Sequence, residues 1–177
     1  MLTDAGARAE RIVEDFGEKI GVAFQLADDV IDLTSDSATT GKTPGTDLRE
    51  GVDTMPVLLL RKALAAGELD AAGQAILSRL STGDLSDDAF LADVVARLRE
   101  HPVLARTREM AMAWAAEAVQ GLEGIEEAVL DATKERLAEA GVEGEAAAAV
   151  LTDAGERVVQ VRAAMEDFAR ILVDRAA

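Results

Sequence analysis

The sequence predicts an all-α protein, a bundle of helices. Alanine, leucine, glutamate and arginine dominate it, aromatic residues make up only 3%, and apolar positions recur at helical rather than alternating spacing. Its 177 residues are enough for one domain with a substantial core and too few for two large ones, so a single domain over 1–177 is expected.

The first helix is expected from near Thr3, a capping residue in TDAGARAE, to about Leu33, with Gly17 and Gly21 as places for another helix to pack closely. Between Ser35 and Asp53, SDSATTGKTPGTDLREGVD contains three glycines and a proline and loses helical periodicity, so it reads as the one long loop. Thr54 then caps a helix with Pro56 in its first turn, and VLLLRKALAA carries that helix to a stop at Gly67. Shorter helices are expected around 70–80 and 86–100, then longer ones around 102–121, 125–140 and 144–174, with breaks at Gly121, Gly124, Gly141 and Gly144. LTDAGARAERIVEDF at 2–16 is echoed by LTDAGERVVQVRAAMEDF at 151–168, either as a duplicated unit or as two alanine-rich helices with similar caps.

Composition narrows the function classes. With 34 acidic against 18 basic residues the net charge is −16, which repels nucleic acid and anionic lipid. The absence of cysteine excludes disulfide scaffolds, thiolate zinc sites and cysteine nucleophiles. The only histidine, His101, precedes Pro102 at an expected helix boundary, which leaves no material for a multi-histidine metal centre or a serine-histidine triad. The N-terminus has no signal-peptide core and no apolar run reaches membrane-spanning length, so a cytoplasmic protein is expected.

The chemically suggestive stretch is FQLADDVIDLTSD, Phe24 to Asp36. At about 100° per residue, with Asp28 at zero, Asp32 falls at about 40°, Gln25 at about 60° and Asp29 at about 100°, while Leu26, Val30, Ile31 and Leu33 face the other way. Three carboxylates and an amide therefore share one helix face. Such a face is either a solvated acidic stripe, costing a few tenths of a kcal/mol per like-charge pair, or a site for a hard cation. Magnesium binds through one or two carboxylates and completes its shell with water and substrate phosphates. The loop that follows, GKTPGTDLREG, supplies Lys42 and Arg49 among glycines that let a backbone approach an anion. Read by itself, that loop is also compatible with an ordinary surface connection.

Taken together, FGEKIGVAFQLADDVIDLTSD and GKTPGTDLREGVDTMP resemble the second aspartate-rich region of the trans-isoprenyl diphosphate synthases, the polyprenyl synthetase family. The residues that carry the resemblance are Gly21, Phe24, Gln25, Asp28, Asp29 and Asp32, then Gly41, Lys42, Gly45, Asp47, Leu48, Gly51, Thr54 and Pro56. It implies a partial fold of the isoprenoid synthase type and Mg2+-dependent joining of an allylic prenyl diphosphate to isopentenyl diphosphate. By the same resemblance, Asp28 and Asp32 hold magnesium with Asp29 in the same shell, Lys42 contacts the diphosphate, Gln25 faces the reacting isoprenoid and Arg49 lies in the matching loop.

The sequence also departs from the family. Its match begins almost at the second motif, and neither a first aspartate-rich motif nor an isopentenyl diphosphate site is recognisable upstream. SDDAFLAD offers Asp87, Asp88 and Asp93 in a looser spelling, but on a helix Asp93 lies about 240° from Asp87, so Ser86 as N-cap with acids in the first turn explains them better. The stretch from about 126 to 160 reads as added helical material, which either covers apolar surface or is an insertion without that purpose. The expectation is the C-terminal portion of a prenyltransferase, truncated or split and inactive alone, working as a homodimer or as a heterodimer with a complementary chain. The alternative is a non-catalytic helical interaction or regulatory module. Trp114, Met110 and Met112 read as packing residues.

Overall fold

In the computed structural model, which describes residues 6–35 and 43–175, eight helices and no strand are found among the described residues. Helix α1 (Ala7–Thr34) lays Ala23, Leu26, Ala27, Val30 and Leu33 into the interior on one stripe, opposite the carboxylates. The expected start near Thr3 lies outside the described residues. The expected loop after α1 contains one turn of helix, α2 (Thr46–Arg49), entered through Gly45 in the left-handed conformation. Four residues are too few to leave a periodicity signal, so pattern reading passes over them.

Helix α3 (Met55–Ala66) has Pro56 in its first turn and stops at Gly67. Asp70 caps α4 (Ala71–Thr82) by accepting the Gly73 amide at 2.7 Å. Helix α5 (Asp88–Glu100) is capped by Asp87, which accepts the Phe90 amide at 2.8 Å. The expected cap, Ser86, is displaced by one residue because its hydroxyl donates to Asp84 at 2.6 Å. Helices α6 (Pro102–Gly121), α7 (Ile125–Glu139) and α8 (Gly144–Asp174) complete the order.

The chain divides into two compact units. One comprises Met1–Val22 with Ala113–Leu172, the other Ala23–Met112 with Val173–Ala177. The first has Phe16 and Ile20 of α1 in its core with Ala115, Ala118 and Leu122 of α6 and Ile125 and Ala128 of α7. Arg8 and Glu127 pair across it at 2.9 Å, both largely exposed, a contact worth little. The second is built on the apolar stripe of α1 with Leu48, Val57, Leu60, Ile76 and the Leu91, Val94, Val95, Leu98 face of α5.

One local expectation fails. A Cβ added at Gly17 or Gly21 would meet nothing within 4 Å, so these glycines line open surface. The echoed segments also differ in environment, because Phe16 is 6% exposed and its counterpart Phe168 is 53% exposed. The same letters serve a core position in α1 and a surface position in α8, which argues against a structural repeat. No helix of the described residues is long and apolar enough to cross a membrane.

Candidate functional site

The apolar stripe of α1 turns the opposite face outward. Gln25 and Asp28 are exposed there, Phe24 is largely exposed, and Asp29 and Asp32 are half-buried. The helix thus brings Gln25, Asp28 and Asp32 to one open face, one turn apart.

Asp29 has a structural partner. Its Oδ2 accepts the Met55 amide at 2.6 Å, so it caps α3 from another helix. Burial, with the charges of Asp47 and Asp28, raises its pKa, and the Met55 amide opposes that shift. Thr54 occupies the cap position by backbone but makes no side-chain cap. Its Oγ1 is buried without a partner.

This exchange of roles is testable by urea unfolding. Asp29→Ala is expected to cost about 1–2 kcal/mol, whereas Thr54→Val, which removes an unsatisfied hydroxyl, is expected to be neutral or to stabilise by about 1 kcal/mol. A conventional Thr54 cap would give the reverse order.

Asp32 joins the end of α1 to α2. Its carbonyl accepts the Gly45 amide at 3.0 Å, and its carboxylate receives the amides of Thr46 and Asp47. The other carboxylate oxygen, Oδ2, is buried without a partner. Burial first, then the neighbouring Asp47 charge, with Asp28 adding a smaller push, raises the Asp32 carboxyl to about 6 against the pull of the two amides. A half-buried acid with an orphaned oxygen and two like charges nearby is an arrangement that a cation would relieve.

Among the described residues, no three carboxylates or histidines converge closely enough to cage an ion. Magnesium takes only one or two protein carboxylates and completes its shell with water and substrate phosphates. Asp28 and the free oxygen of Asp32 fit that requirement.

Arg49 forms an ion pair at 2.5 Å with Asp88, in the first turn of α5. It therefore ties α2 to α5. Lys42, with Gly41 and Asp36, lies outside the described residues. The acids of SDDAFLAD are occupied structurally: Asp87 as a cap, Asp88 with Arg49, and Asp93 with Arg79 and Arg97, each at 2.9 Å.

Two residues of this site received no role from sequence reasoning. Asp47 adds the charge that most raises Asp32 after burial, and its place in GTDLREG was the available signal. Arg99 closes the end of α1, donating from Nε to the Leu33 carbonyl and from an Nη to the Ser35 carbonyl at 3.2 Å. It lies 66 positions from Leu33, and no local pattern announces such a pairing.

Comparison with known proteins bears on residues 1–84, which match the family model described as polyprenyl synthetase. The chain is similar to a nonaprenyl diphosphate synthase of Mycobacterium tuberculosis, 40% identical over 116 residues, which are 64% of this chain and 33% of that protein. It is 34% identical over 114 residues to an octaprenyl diphosphate synthase of Haemophilus influenzae, covering 64% of this chain and 33% of the relative. It is 45% identical over 56 residues to a farnesyl diphosphate synthase of Escherichia coli, covering 32% and 19%. The matches span a third or less of these relatives. No solved structure matches the chain.

Proposed function

From residues 1–84, which belong to the polyprenyl synthetase family, we propose that this chain carries the diphosphate half of a prenyltransferase site. It binds an allylic prenyl diphosphate with Mg2+, and a complementary chain supplies the isopentenyl diphosphate half for chain elongation. The observation that carries the reading is the pair Asp28 and Asp32, one turn apart on the open face of α1, with Asp32 Oδ2 buried and unpartnered.

Asp28 and Asp32 hold the ion, and Asp29 keeps α3 fixed against the same helix through Met55. Bound magnesium supplies electrostatic stabilisation for the charge that gathers on the departing diphosphate as its C–O bond ionises. Lys42 donates to the diphosphate, Gln25 faces the isoprenoid, and Arg49, held by Asp88, fixes the loop between α1 and α3. Phe24, 44% exposed, offers an apolar surface beside the carboxylates to keep water from a carbocation.

Isothermal titration with farnesyl diphosphate, with and without magnesium, tests the proposal. The wild type is expected to bind only with magnesium, and the Asp28→Ala/Asp32→Ala variant is expected to show no binding in either condition. A folded wild type indifferent to farnesyl diphosphate and magnesium would overturn the reading.

A further inference from the structure

The last carbonyls of a helix have no partner inside it and carry the negative end of its dipole. Helix α1 meets this problem close to its acids, because Asp32 stands two residues before the final Thr34 and the last turn contains no basic residue. Thr34 is followed by serine rather than by the glycine that commonly ends a helix. The partners come from elsewhere in the chain. The Asp32 carbonyl accepts the Gly45 amide at 3.0 Å. The Leu33 carbonyl accepts Arg99 Nε, and the Ser35 carbonyl accepts an Nη of the same guanidinium at 3.2 Å. Arg99 thus brings two donors and a positive charge to a helix end that has neither of its own.

A single face of α5 makes these attachments. At about 100° per residue, Asp88, Leu91, Val95 and Arg99 fall within about 80° of one another. Asp88 pairs with Arg49 of α2, Leu91 and Val95 crowd Gly45, and Arg99 reaches the end of α1. That face therefore holds both segments that meet at Asp32, whose carboxylate receives the amides of Thr46 and Asp47.

We propose that Arg99 is a positioning residue for the magnesium-diphosphate half-site: by holding the last carbonyls of α1, it fixes the direction in which Asp32 presents its unpartnered oxygen. The role rests on the reading of Asp28 and Asp32 as the carboxylates that hold the ion. Arg99 acts through the backbone on both sides of Thr34. A guanidinium suits the task because its planar fork bonds two carbonyls at once, whereas an ammonium is a point charge on a flexible stem. Released carbonyls let the last turn fray, and Asp28 and Asp32 share a face only while that turn is helical.

Two measurements test the role. In hydrogen exchange of the protein without added metal, Arg99→Met is expected to lower protection of the Ser35 and Gly45 amides, which donate to Ile31 and Asp32. The loss should be about tenfold, with the amides inside α5 unaffected. In titration with farnesyl diphosphate and magnesium, the same variant is expected to bind about tenfold more weakly. Arg99→Lys keeps the charge and loses the fork, so its affinity should fall between Arg99→Met and the wild type. Ile76→Ala, at a buried position on α4, controls for lost stability. It should lower the urea midpoint more than Arg99→Met does and leave diphosphate affinity within about twofold of wild type.

Unchanged Gly45 protection in Arg99→Met would overturn the hold on Asp32, whether or not the chain binds diphosphate. Wild-type affinity in Arg99→Met, full rescue by Arg99→Lys or an equal loss in Ile76→Ala would overturn the two-point positioning. A wild type that binds no diphosphate, while Arg99→Met still loses protection, would overturn the half-site reading and with it the part of Arg99 in binding, leaving only its hold on the helix end.

Discussion

Replacing Gly45 by alanine is expected to lower the stability of the protein by about 3 kcal/mol, although the site looks like a loop. Two physical terms add. Gly45 holds φ at 80°, a left-handed conformation that costs a residue with a Cβ about 1–2 kcal/mol. The new methyl would also stand 2.6 Å from Val95 Cγ2 and 3.3 Å from Leu91 Cδ1. Both side chains are 3% exposed or less, so neither can swing into solvent, and overpacking of this kind costs a further 1–3 kcal/mol or so.

Gly51 provides the control, because it has a similar φ of 76° with nothing within 4 Å of an added Cβ. Gly51→Ala should therefore show the backbone cost alone, about 1–2 kcal/mol. Urea unfolding of the two variants separates the terms, and equal losses would show that the contact with α5 contributes nothing. Gly45 also donates its amide to the Asp32 carbonyl, so the same substitution is expected to weaken magnesium-dependent diphosphate binding while Gly51→Ala leaves it closer to wild type.

That glycine illustrates which parts of the molecule were legible in the sequence. Helix existence and order were, because amphipathic periodicity and the breaks at Gly67, Gly121 and Gly124 are local signals. The shared face of Gln25, Asp28 and Asp32 followed from helix geometry alone. What escaped was determined by distant partners. Asp29 sits among the acids in the sequence yet serves Met55, 26 residues away. Arg99 reads as one more base at the end of an amphipathic helix, and only the fold shows that it closes α1. Gly17 and Gly21 looked like packing sites because small residues permit close approach, but permission does not supply a neighbour. Phe168 carries the same local signal as Phe16, and the packing around α8 leaves it outside.

The largest pH effect is expected at Asp32, and it should appear as a stability difference that grows with pH in the metal-free protein. In the fold its carboxyl is raised from the ordinary 3.8 to about 6, so between those values the folded chain binds a proton that the unfolded chain has released. The Asp32 contribution to stability is then greatest below about pH 4, falls as pH rises towards 6 and is level beyond it. A sealed group displaced this far would lose about 3 kcal/mol, and partial solvent exposure reduces the expected loss to about 1 kcal/mol.

Asp32→Asn removes the titration while keeping an oxygen for the amides of Thr46 and Asp47. Any fixed cost or gain of the amide is independent of pH, so the diagnostic quantity is the slope: relative to wild type, the variant should gain about 1 kcal/mol between pH 4 and 7. Urea unfolding at half-unit pH intervals measures it, and parallel curves would mean that Asp32 is ionised in the fold as it is in the unfolded chain. Asp47→Asn should shrink the same slope by removing the larger of the two neighbouring charges. Saturating magnesium should flatten the wild-type curve between about pH 4 and 6, since a cation stabilises the ionised form that burial and Asp47 oppose. The charge that makes Asp32 a liability to the fold is the property by which, in the proposed site, it would hold an ion.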